Sequence, residues 1–268
     1  MRHQLFRKTS IGWATPLMLL LAGLYLAGCG GDQPAPQRST PPPPTSSENT
    51  TVQETTGTAS ISGTVSFTGE VPKLKTIDMG SVTECKEQHS TGIKSEALIL
   101  GDSNTIANVI VKIKSGLPSN AKYAPPTKPA ELDQIGCIYI PHVLAVQVGQ
   151  TVKFKNSDNV IHNVHTLSEK NPAFNKAVNK GSETDRTYDQ EETFFVKCDI
   201  HPWMKNYISV ASHPFFSVTK LDGKFEIKNL PAGKYTVGVW HERLGEKTQE
   251  IEVSDGQSAE LNFALSKS

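Results

Sequence analysis

The run Cys198-Asp199-Ile200-His201-Pro202-Trp203-Met204 brings a thiol, an imidazole and a thioether into one short stretch. A second imidazole lies upstream in Ile161-His162-Asn163-Val164-His165, from either His162 or His165. Two imidazole nitrogens, a thiolate and a weak thioether make the donor set of a blue-copper electron-transfer site. Soft sulfur favours Cu(I) and imidazole suits copper generally, so one such set serves both oxidation states with little rearrangement. Pro202 stiffens the loop by fixing φ. His162 and His165 are three residues apart, so a strand points them to opposite faces. The chemistry therefore needs one strand end to hold the thiolate and another strand to bring the upstream imidazole.

The sequence after Ala59 supplies strands. Ile61 to Phe67 alternates apolar with small or polar residues. Val109–Ile113, Leu144–Val148, Thr151–Phe154, Phe225–Ile227 and Tyr235–Val239 do so more loosely. Period-two alternation bounded by Gly, Pro, Asn and Asp clusters is the strand signature. Asp222-Gly223, Pro231-Ala232-Gly233 and Asp255-Gly256 read as turns. No long helical stripe appears, and residues 170–180 have room for one helical turn. Many short strands of this kind predict an all-β fold of sandwiches.

Two motifs carry a resemblance. One is the strand Val143–Val148, the Gly149-Gln150 turn, the strand Thr151–Asn156 and the His162-Asn163-Val164-His165 run. The other is Phe194-Phe195-Val196-Lys197 leading into Cys198-x2-His201-x2-Met204. On these motifs residues 132–211 resemble a plastocyanin-like cupredoxin, with a short ligand loop like that of amicyanin. The resemblance implies a Greek-key sandwich and one type 1 copper ion. The implied ligands are His162, Cys198, His201 and Met204, with Met204 the long axial one. It selects His162 over His165 and leaves His165 to packing or surface. Asn163 is placed to hydrogen-bond the two ligand segments together. The loop imidazole would lie near the surface as an electron port. Trp203 is then either core packing or part of a docking patch for a redox partner.

A second resemblance lies in Val218 to Val237, which contains Asp222-Gly223-Lys224-Phe225-Glu226-Ile227 and Leu230-Pro231-Ala232-Gly233-Lys234-Tyr235. It is similar to a carboxypeptidase regulatory-like domain, a transthyretin-like sandwich, although Lys220 stands where that family has an acidic residue. The opening strand of such a domain is matched far upstream by Ile61-Ser62-Gly63-Thr64-Val65. The expected organisation is therefore an insertion. Residues 59–127 and 212–268 would form the transthyretin-like sandwich, and residues 128–211 the cupredoxin domain within it. Two domains in tandem are the alternative.

Residues 1–28 read as a secretory signal. Arg2, Arg7 and Lys8 precede an apolar stretch that ends in Leu26-Ala27-Gly28-Cys29. That ending resembles a bacterial lipobox, which implies cleavage before Cys29 and a lipid on its sulfur. The chain would then be anchored to a membrane rather than span it. Gly30 is not the Asp that marks inner-membrane retention, which favours the outer membrane. Residues 29–58 are polar and proline-rich, with Pro41 to Pro44 in a row. Such a segment does not fold and would serve as a spacer of about 90 Å at most. Without Arg2, Arg7 and Lys8 the 27 basic side chains fall to 24, against 27 acidic ones. A mildly acidic chain does not fit a nucleic-acid partner.

The chain has four cysteines: Cys29, Cys85, Cys137 and Cys198. With Cys29 lipidated and Cys198 a metal thiolate, Cys85 and Cys137 can pair as a disulfide, worth about 4 kcal/mol in the chain-entropy model. The spacings Cys85-x3-His89 and Cys137-x4-His142 also permit a second metal site. His213 and His241 read as structural or interface residues, and His142 as packing against the copper module. No nucleophile elbow or paired-carboxylate motif is present, and Asp199 reads as a loop residue, so no enzyme is expected. The function expected is an exported, membrane-tethered carrier of single electrons between redox proteins of the periplasm or cell surface. The rivals are copper delivery, and a structural or carbohydrate-binding surface lipoprotein. Only Met79 and Met204 lie beyond the signal, which is few for delivery.

Overall fold

The computed structural model describes residues 56–80 and 82–267. The expected signal, Cys29 and most of the spacer lie outside the described residues. Strand β1 (Ala59–Phe67), helix α1 (Thr83–Glu87) and β2 (Ile110–Ser115) come first. Nine strands follow: β3 (Ala130–Ile135), β4 (Ile138–Ile140), β5 (Val143–Gln147), β6 (Val152–Asn156), β7 (His162–Thr166), β8 (Phe174–Val178), β9 (Glu183–Arg186), β10 (Glu192–Lys197) and β11 (Lys205–Ala211). The chain ends with β12 (Phe216–Val218), β13 (Lys224–Leu230), β14 (Gly233–His241), β15 (Gly245–Val253), β16 (Ser258–Glu260) and β17 (Phe263–Leu265). The fold is all-β, as the alternation predicts. Among the described residues no helix is long and apolar enough to cross a membrane.

Four sheets enclose two cores. In the first, β1, β13, β16 and β17 face β12, β2, β14 and β15. Inward residues at period two fill the space: Ile61, Val65 and Phe67 from β1 meet Val111 and Ile113 from β2 and Tyr235, Val237 and Val239 from β14. In the second, β4-β3-β6-β9 faces β5-β11-β10-β7-β8. Leu132, Tyr139 and Phe154 meet Val164, Val196, Ile208 and Val210 there. The first core is built from strands on both sides of the segment that builds the second.

Two local expectations are corrected. Residues 174–178 form strand β8, not a helical turn, because they pair with β7 from His162↔Val178 to Thr166↔Phe174. The ladder supplies the backbone partners that an isolated turn would lack. The segment around α1, expected within the first sandwich, instead packs Met79 and Cys85 into the second core. A disulfide between Cys85 and Cys137, 52 residues apart, holds it there. That pairing also excludes both cysteines from a second metal site with His89 and His142.

The two cores meet through buried polar contacts. His142, 6% exposed, lies with Nε2 2.5 Å from Glu242 Oε1 and Nδ1 3.4 Å from Glu96 Oε2. Both carboxylates come from segments outside β3–β11. His142 is thus an inter-lobe clasp rather than simple packing. The Tyr207 ring lies 5.2 Å from that of Trp240. His213 Nε2 donates to Ile113 O at 2.9 Å, and His241 Nδ1 accepts from Arg243 N at 3.2 Å. His213 is thus a structural residue, while His241 braces its own turn.

Candidate metal centre

The pleat delivers the donors. Along β10, Phe194 and Val196 point into the second core, and the next inward position is Cys198, 1% exposed. Along β7, His162, Val164 and Thr166 are all buried while His165 is not. The two strands are antiparallel, with Val196↔Thr166 and Lys197↔His165. The start of β7 therefore lies beside the end of β10, which brings His162 to Cys198. Lys197↔Lys205 closes the base of the β10–β11 hairpin, so Cys198 to Met204 forms its loop. Met204 N donates to His201 O at 2.9 Å and tightens the turn.

At this end of the core His162 Nδ1 lies 2.9 Å from His201 Nδ1. Cys198 Sγ lies 3.8 Å from the same His201 atom, and the three donors fall within 4.8 Å of one another. His162 is 0% exposed, His201 3% and Met204 0%. His201 is therefore more deeply covered than a surface port would be. Its ring is flanked by Trp203, with centroids 5.2 Å apart. Trp203 is half-buried, and its Nε1–H donates to Cys137 O at 3.0 Å. The indole is thus tied inward rather than free on the surface.

Asp158, which no motif in the sequence marks, belongs to this centre. Its Oδ2 accepts from His162 Nε2 at 2.8 Å and from Cys137 N at 2.7 Å, and its Oδ1 from Gly136 N at 2.8 Å. Burial opposes the charge on Asp158, but these donors outweigh it and hold the carboxyl below its usual range. An ionised carboxylate only accepts, so His162 Nε2 carries a proton and Nδ1 is the atom turned toward His201. Burial likewise opposes a thiolate at Cys198. The neighbouring His162 and the N–H groups of Asn163 and His201, both 3.4 Å from Sγ, lower its pKa. Burial disfavours charge on His162 too, but Asp158 and Cys198 raise its pKa. Burial and the neighbouring His162 charge lower that of His201.

Asn163 joins the two segments, as its position suggests. Its Oδ1 accepts from Asp199 N, and its Nδ2 donates to Asn175 Oδ1 at 2.7 Å. His165 points to the other face, where Nδ1 lies 2.8 Å from Asp199 Oδ2. Asp199 also pairs with Lys197 Nζ at 2.8 Å, so it is a loop brace. A second cluster, Cys137, Asp158 and His162, has donor atoms equally close, but its sulfur is already in the disulfide. The residues fit a copper ion. Two imidazole nitrogens, each aimed at the other without a carboxylate between them, converge with a sulfur whose pKa its hydrogen-bond donors lower against the effect of burial.

No protein-family model and no curated protein matches the chain. Among solved structures it is similar to a purple cupredoxin from Nitrosopumilus maritimus, at 24% identity and a TM-score of 0.28, over 31% of this chain and 99% of that one. An amicyanin variant in its Cu(I) form is similar at 23% identity and a TM-score of 0.29, over 38% of this chain and 98% of that one. A copper-containing nitrite reductase from Thermus scotoductus matches at 26% identity and a TM-score of 0.30, over 36% of this chain and 25% of that one. The TM-scores are too low for any of these likenesses to carry an inference, and the fold rests on the sheets described above.

Proposed function

We propose that the chain is a copper-binding electron carrier, in which His162, Cys198 and His201 would hold the ion and Met204 would add a weak sulfur donor. The observation that carries this reading is the buried convergence of His162 Nδ1, His201 Nδ1 and Cys198 Sγ within 4.8 Å. A copper ion held there would supply one-electron transfer. The protein's own part is to fix the donors. Asp158 orients His162, and the N–H groups of Asn163 and His201 hold the sulfur. Burial excludes water, and donors already in place need little rearrangement.

Ile161 and Ile200 flank two of the donors in sequence and are 45% and 46% exposed. In this reading they form the face that meets a redox protein, and Trp203, tied inward, lies behind it. The inserted arrangement, with a transthyretin-like first lobe as scaffold, belongs to the same proposal. So does the lipid on Cys29, which would tether the carrier to a membrane, the outer one favoured, and let it reach partners on its spacer.

The test is to add Cu(II) to the intact chain and record the visible spectrum. A strong thiolate-to-copper band near about 600 nm, lost in Cys198→Ser, is expected of this donor set. A colourless protein, or a colour indifferent to that substitution, would overturn the reading.

A further inference from the structure

The two-residue turn Gly136-Cys137, between β3 and β4, touches both segments that bear the donors. Its two N–H groups hold Asp158, one on each carboxylate oxygen, at 2.8 and 2.7 Å. Asp158 in turn holds His162 Nε2 at 2.8 Å. On its other side, Cys137 O accepts the Trp203 indole N–H at 3.0 Å, and Trp203 lies between His201 and Met204 in the loop. One turn thus sets the upstream imidazole through its donors and the loop through its acceptor.

The turn needs to be held. Gly136 and Cys137 both have left-handed backbone, with φ of 68° and 52°, a region that a non-glycine residue rarely occupies. Two ties come from the α1 segment. The Cys85–Cys137 disulfide anchors the turn through Cys137, and His89 Nε2–H donates to Gly136 O at 2.6 Å. Cys85 and Cys137 are both 0% exposed.

We infer that the disulfide-anchored Gly136-Cys137 turn is a positioning device for the metal centre, which presents His162 through Asp158 and the His201 loop through Trp203. This inference rests on the copper reading for its purpose, but its geometry is testable without metal. Gly136, Cys137, Asp158 and Trp203 are positioning residues, and none of them is a donor in the proposed set. Loss of outer-sphere support of this kind weakens metal binding by about 10- to 100-fold.

The experiment is proton NMR on the intact, metal-free chain with 15N in its His and Trp rings. The wild type is expected to show slowly exchanging His162 Nε2–H and Trp203 Nε1–H resonances. In Cys85→Ala/Cys137→Ala both are expected to exchange at least about 10-fold faster, while the Trp240 indole resonance of the first lobe stays in place. Copper affinity is expected to fall by the same 10- to 100-fold range. Asp158→Ala is expected to release the His162 proton alone. His89→Ala, which leaves the disulfide intact, is expected to speed exchange of both protons by a smaller factor and decides the matter if the cysteine variant fails to fold. Unchanged exchange of both protons in the folded cysteine variant, or in His89→Ala, would overturn the inference. Failure of the wild type to bind copper would instead remove the proposed function and leave the NMR result standing.

Discussion

Among the described residues, two buried histidines take carboxylate partners, and they come out differently. His142 has a carboxylate at each nitrogen, Glu242 at 2.5 Å and Glu96 at 3.4 Å. His162 has a carboxylate at Nε2 only, and its Nδ1 faces His201 and Cys198. The first arrangement closes the imidazole into an ion-pair clasp. The second fixes one nitrogen so that the other is presented in a set direction. Burial and an acidic neighbour are common to both, so neither marks a ligand. The group that faces the second nitrogen does.

The comparison can be broken from several sides. The largest effect on stability is expected from Cys85→Ala/Cys137→Ala, at about 4 kcal/mol for a closed loop of this length, measured by urea unfolding of the metal-free chain. The next is Glu242→Ala, which leaves the His142 charge buried with Glu96 alone and is expected to cost about 3 kcal/mol. Copper binding should survive that substitution, because the clasp does not touch the donors. A loss of copper with unchanged stability would erase the distinction between the two histidines.

The pH dependence sharpens it. Burial lowers the His142 pKa, but Glu242 and Glu96 outweigh it and raise it from 6.5 to about 9. Its contribution is then full below the unfolded value near 6.5 and is lost as pH rises toward about 9. Burial opposes the charge on Glu242, but His142 lowers its pKa below the ordinary 4.5. That contribution is present above the unfolded value and is lost as pH falls through the folded one. The clasp is expected to be strongest between about pH 5 and 6.5. Urea midpoints of the wild type should decline across pH 7 to 9, and those of Glu242→Gln should decline less. Equal declines would assign the effect elsewhere. The smallest effect is expected from His165→Ala. It removes a contact with the exposed Asp199, so the urea midpoint should stay close to that of the wild type, with the copper spectrum retained.

Much of the centre was legible because its parts obey short periods. Cys198 continues the inward register of Phe194 and Val196, and three residues of spacing put His162 and His165 on opposite faces. Cysteine parity pointed to the Cys85–Cys137 pair while a metal site remained open. What was not legible depends on tertiary partners. Asp158 belongs to no motif, and only the fold brings Gly136 and Cys137 to its carboxylate. Glu96 and Glu242 meet His142 from distant parts of the chain. Strand β8 is too polar to alternate cleanly and exists because β7 offers it a ladder. Helix α1 is five residues long, too short for a stripe, and its place in the second core follows from the disulfide.

The most direct test is X-ray absorption at the copper edge on the intact chain, in wild type, His162→Ala and His142→Ala. The wild type should show two imidazoles and one short sulfur contact. His162→Ala should lose one imidazole, and His142→Ala should match the wild type. A wild-type spectrum without sulfur, or an imidazole lost in His142→Ala and kept in His162→Ala, would contradict the assignment of the centre to His162, Cys198 and His201.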